Sequence, residues 1–210
     1  MAKHSEIEFR TAFNQIERHI EAKYAVPVVI ADVTDPFSGD LDGAEIKVDH
    51  DNSAEDALFI IAHLFGHTVQ WNLSEQGRTI GNQTPDPNLS RERMLELYQY
   101  ELDAARYSLA LFHEAGVDNF DQWLSDYFHC DWSYLSHFYK TGLKGEFRSF
   151  WRDDTRQITA LATPEFRPQA WKNAGRGLWF SIHCPSVCGA QRNHAKLEGN
   201  GFPRSRECQI

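Results

Sequence analysis

The stretch AHLFGHTVQW, Ala62 to Trp71, places two histidines four residues apart with a glycine before the second. On a helix, positions i and i+4 leave the same face one turn apart. His63 and His67 can therefore hold one ion, with metal–nitrogen bonds of about 2.0–2.1 Å. The surroundings favour a helix. Ser53, with Asp56 three residues on, predicts an N-terminal cap. Leu58, Ile61, Ala62, Phe65 and Val69 then form one apolar stripe.

Outward from this segment, Ile7, Phe9, Phe13, Ile16 and Ile20 recur at helical spacing and predict a helix over about residues 5–23. VPVVIADV (26–33) and GAEIKVD (43–49) read as strands. NLSEQGRTIGNQTPDPN (72–88) is polar, with two glycines and two prolines, and reads as a loop or lid. Ser90 starts a long helix that Gly116 ends, and an aromatic-rich helix is expected near 118–140. From about 141 the helical signal fades into extended chain. The fold class expected is α+β: a small mixed sheet packed on the histidine helix, with a mainly helical C-terminal half. Residues 1–180 are expected as one domain and 181–210 as a flexible tail.

Composition narrows the function classes. The 210-residue chain is 41% apolar, enough for a core, and carries a net charge of −9. Nucleic acid and anionic membranes call for a basic face and are not expected partners. The charged N-terminal segment reads as neither a signal peptide nor a membrane anchor, and no apolar run reaches spanning length. A cytoplasmic protein with free thiols is expected. In the tail, Cys184, Cys188, His194 and Cys208 have spacing looser than a zinc ribbon and read as flexible chain.

Glu101 in YQYELDAARYSLALF is the candidate third ligand, beside the small residues Ala104 and Ala105. With Ala62, His63, Gly66, His67, Thr68, Glu101 and Ala104, the chain resembles the gluzincin metallopeptidases. Among these it is most similar to the compact ImmA/IrrE-type enzymes, with AHELGH on one helix and ExxA on a later one. The resemblance spans about residues 5–115. It implies a zincin-like fold with one divalent ion, Zn or Fe(II), on His63, His67 and Glu101. Two positions depart from the pattern. Leu64 replaces the glutamate that serves as general base, a loss worth about 10²–10⁴-fold. Ala105 stands where many gluzincins have an aspartate that orients a histidine, and Asp103 or a backbone carbonyl is the candidate substitute.

Ordinary peptide hydrolysis is therefore not expected. Glu55 and Asp56 lie two helical turns before His63, too far to serve as base, and His50, Tyr98, Tyr100 and Asp103 qualify only through tertiary proximity. Two histidines and a carboxylate with open positions also describe non-haem Fe(II) oxygenases. Eleven aromatics between Phe120 and Trp151 exceed what one helix face needs, and the excess suits a pocket for a small aromatic or apolar molecule. His129 and Asp131 read as structural. Three functions follow: a metal-dependent enzyme acting on a small molecule, a zinc hydrolase with a relocated base, or an inactive binding module.

Overall fold

Three serines set the helical frame. In the computed structural model, which describes residues 4–34, 37–82, 86 and 89–172, Ser5, Ser53 and Ser90 each cap a helix. Each side chain accepts the N–H three residues on, satisfying one of the donors that every helix start leaves unpaired. The helices are α1 (Glu6–His19), α2 (Ala54–Leu73) and α4 (Arg91–Glu114). A π turn (Ile20–Tyr24) continues α1, and Ala25 ends it in the left-handed region. Gly116, at φ +75°, follows α4. Next come a short 3₁₀ turn, Asp118–Phe120, and then α5 (Asp121–Thr141).

Between α1 and α2 lies a three-stranded mixed sheet: β1 (Val28–Ala31), β2 (Gly39–Leu41) and β3 (Ile46–Asp49), in the order β1-β3-β2. β1 runs parallel to β3, with Val28 opposite Ile46, and β2 runs antiparallel to it, with Gly39 opposite Val48. The expected α+β class holds at this level, and most of the described chain is helical. β2 is an addition to the sequence reading. Its three residues are too few for a visible alternation, and all are buried beside α2.

Residues 75–81 correct the expected loop. They form α3 (Glu75–Gly81), whose cap Ser74 accepts the Gly77 N–H at 2.9 Å. The two glycines that suggested a break serve close packing instead. A β-carbon on Gly81 would meet Trp71 Nε1 and the Tyr100 hydroxyl at 2.6 Å.

α2 is the central element, buried along nearly its whole length between α1, the sheet and α4. One apolar cluster joins Phe9, Ile16, Ile46, Phe59, Phe65, Leu111, Phe112 and Trp123. After a 3₁₀ turn at Phe147–Phe150, residues 151–172 cross the helices as extended chain, pinned by side chains. Asp126 accepts the Thr155 N–H at 2.8 Å, and Arg106 Nε donates to Thr159 O at 3.0 Å. Asn72 Oδ1 accepts the Gln169 N–H at 3.0 Å, and Lys172 pairs with Asp40. The expected C-terminal tail, with Cys184, Cys188, His194 and Cys208, lies outside the described residues. Among those described, no helix is long and apolar enough to cross a membrane.

Candidate metal centre

Close approach of α2 and α4 creates the site. A β-carbon on Gly66 would lie 2.3 Å from Ala104 O, so only glycine lets the helices pack at this distance. Ser108 Oγ, 2.8 Å from Ala62 O and 2.9 Å from Ala104 O, ties the two helices one turn further along. Glu101 is thereby carried against the histidine pair. His63, His67 and Glu101 are all buried, at 1%, 0% and 6% exposure. The two Nε2 atoms are 2.9 Å apart, and Glu101 Oε2 lies 3.2 Å from that of His63 and 3.3 Å from that of His67.

Gln70 fixes which nitrogen of His67 faces inward. Its amide N–H donates to Tyr100 O at 2.7 Å, which turns Oε1 toward His67 Nδ1 at 2.8 Å. In neutral His67 the proton therefore sits on Nδ1, and Nε2 presents a lone pair to the centre. Tyr100 stacks on the same ring, with centroids 4.6 Å apart, and Phe59 stacks on His63 at 5.2 Å. Gln70 thus fills the orienting role that the sequence left to Asp103 or a carbonyl. Asp103 instead pairs with Arg106 at 3.1 Å, and Ala105 is buried.

These residues fit a divalent cation. Bonds of about 2.0–2.1 Å at tetrahedral angles set neighbouring ligand atoms roughly 3.3 Å apart, close to the spacings here. Burial alone would raise the Glu101 carboxyl, but the facing imidazoles of His67 and His63 outweigh it and hold it down at about 2. A cation bound by all three groups would offset that buried charge.

Leu64 points elsewhere. Its side chain is wholly buried under β2, with Cδ1 2.9 Å from where a β-carbon of Gly39 would lie. The structure also accounts for the other candidate bases. Glu55 and Asp56 hold Arg148 at 2.8 and 3.2 Å, and Asp56 accepts the Tyr127 hydroxyl at 2.6 Å. His50 is exposed on a turn, and Tyr98 packs on Trp132 with centroids 5.0 Å apart. His129 Nε2 donates to Arg156 O at 3.0 Å and anchors the extended chain. Cys130 is buried, and its burial pushes the thiol up to about 12.

Much of the aromatic segment is core: Phe120, Trp123, Tyr127, Phe128, Tyr134 and Phe147 are buried. Trp132 and Tyr139 are only partly covered. Burial and the Glu101 charge raise Tyr139 to about 12. A cavity of about 510 Å³ between Lys23, Tyr24 and residues 163–167 includes none of the three candidate ligands.

Sequence reasoning missed Asp131. Read as structural, it is a carboxylate with 3% exposure, and its Oδ1 has no hydrogen-bond partner. Its electrostatic neighbours are His63 and Glu101. The available signal was its place in the stripe Phe120, Trp123, Tyr127, Tyr134, where the step after Tyr127 falls on an acid. Compared with known proteins, the chain matches no family model, no curated protein and no solved structure.

Proposed function

We propose that the chain is a metal-dependent enzyme whose single divalent ion, Zn or Fe(II), is held by His63, His67 and Glu101. It acts on a small molecule rather than by ordinary peptide hydrolysis. The observation that carries this reading is the convergence of two imidazole nitrogens and a carboxylate oxygen within 3.3 Å in a buried site. The ion would supply Lewis acidity and bind a reacting group. Gln70 holds the His67 tautomer, while Phe59 and Tyr100 keep the two rings in place. The partly covered Tyr98, Trp132 and Tyr139 support an aromatic or apolar substrate.

The zincin resemblance belongs to this proposal. Support comes from the order helix, strands, histidine helix, glutamate helix and from the Gly66–Ala104 contact. A hydrolase with a relocated base is favoured over an oxygenase by one observation, the buried Asp131 carboxylate beside the site. Metal analysis of the full chain tests the proposal. One equivalent of metal is expected, lost in His63→Ala, His67→Ala and Glu101→Ala. A folded wild-type protein that takes up neither Zn(II) nor Fe(II) overturns it.

A further inference from the structure

Contacts between α2 and α5 advance in step. Trp123 Nε1 donates to Glu55 Oε1 at 3.0 Å, and four residues on Tyr127 stacks on Phe59 with centroids 3.9 Å apart. The next step of four residues on each helix reaches His63 and Asp131. On the other side, Tyr98 of α4 packs against Phe128, one turn before Asp131, and Trp132, the residue after it. One helical turn beyond Tyr98 on α4 is Glu101. Asp131 is thus held between the elements that carry His63 and Glu101.

We propose that Asp131 is the outer carboxylate of this centre. From α5 it accepts a hydrogen bond, and then the proton, of a protic ligand of the cation (water or a substrate hydroxyl), the part that Leu64 cannot play. The inference rests on the reading of His63, His67 and Glu101 as a metal centre. In the transfer, the O–H bond of the ligand breaks, the proton arrives on Asp131 Oδ1 and nothing is oxidised.

Three observations bear on the role. Asp131 is 97% buried by complement of its 3% exposure, yet Oδ1 has no hydrogen-bond partner, an arrangement that costs stability unless a ligand completes it. Among the described residues it forms no ion pair with Lys or Arg. It also lies outside the group of donor atoms within 4.8 Å of one another, as an acceptor one ligand removed from the ion must. Burial pushes its carboxyl up to about 7, against the pull of His63 and with the repulsion of Glu101. The titratable groups facing it are His63 on α2, Glu101 on α4 and Cys130 on its own helix.

The test uses the full-length protein loaded with Co(II), whose visible absorption reports protonation of the ion's ligands. Wild type is expected to bind one equivalent and to change with pH in two coupled steps. Asp131→Asn is expected to keep the stoichiometry and show one step, with its midpoint lower by about one pH unit or more, because a nearby negative charge has been removed. Superimposable pH curves at equal stoichiometry overturn the role of Asp131 and leave the metal centre standing. Failure of wild type to bind Co(II) overturns both. If Asp131→Asn does not fold, infrared spectra of wild type labelled with ¹³C-aspartate decide. Zn(II) addition should alter the band of one buried aspartic carboxyl, with Glu101 silent, and an unchanged aspartate spectrum overturns the proposal.

Discussion

At the scale of single residues, Gln70 decides how well the site is preorganised. Its amide links His67 Nδ1 to Tyr100 O, so that ring, tautomer and the α2–α4 pairing are fixed together. Gln70→Ala should weaken Zn(II) binding by about 10–100-fold with little change in fold, measured by competition with a chromophoric chelator. An unchanged affinity would remove Gln70 from the site. Leu64→Glu should not create a peptidase. It sets a carboxylate in the packing under Gly39 and is expected to lower Tm by calorimetry without any gain in cleavage of a quenched peptide library. The two histidines and Glu101 were legible because ligand chemistry restricts both residue type and helical spacing. Gln70 and Asp131 were not, because an amide or a lone acid in a helix has many commoner roles. Only the partners brought by folding distinguish these two.

At the scale of elements, the site depends on how closely two helices approach. Gly66 and Ala104 set that distance, and Ser108 secures it. Gly66→Ala carries a β-carbon into the Ala104 carbonyl, so α2 and α4 must separate. It should cost on the order of 2–4 kcal/mol in a denaturant titration, with metal affinity falling as Glu101 is drawn away. Ala104→Gly, which adds no atoms, should leave metal stoichiometry intact. The serine caps made the starts of α2 and α4 legible within a residue. α3 was hidden because Gly77 and Gly81 carry the composition of a turn. Their use here is close contact with Gln70, Trp71 and Tyr100, a tertiary fact. β2 escaped for a related reason: a three-residue strand acquires its identity from pairing with β3, not from its own pattern.

At the scale of the whole molecule, the buried acids make stability depend on pH and metal together. The extended chain at 151–172 was legible only as lacking helical period. Its path is set by side-chain hydrogen bonds from Asp126, Arg106 and Asn72, which no local pattern encodes. The site's own contribution has a definite sign. Glu101 is held at about 2, below its ordinary value of 4.5, so its stabilising share is present above pH 4.5 and is lost as pH falls toward 2. Asp131 is raised from 3.8 to about 7, so its share is full below pH 3.8 and is lost as pH rises through 7. Metal-free protein should therefore be most stable in the weakly acid range, with Tm falling between about pH 4 and 7 as the unfolded chain gains from ionising Asp131. Asp131→Asn removes that ionisation and should flatten the fall, raising metal-free stability at pH 8 by roughly 1–3 kcal/mol. Zn(II) acts in the opposite direction, since its ligands must be deprotonated. At about 100 times its Kd it should add about 2.7 kcal/mol, measured as a Tm rise that grows from pH 5 to 8. Parallel pH–Tm curves for metal-free wild type and Asp131→Asn would mean that the buried acid is not coupled to folding as its burial requires.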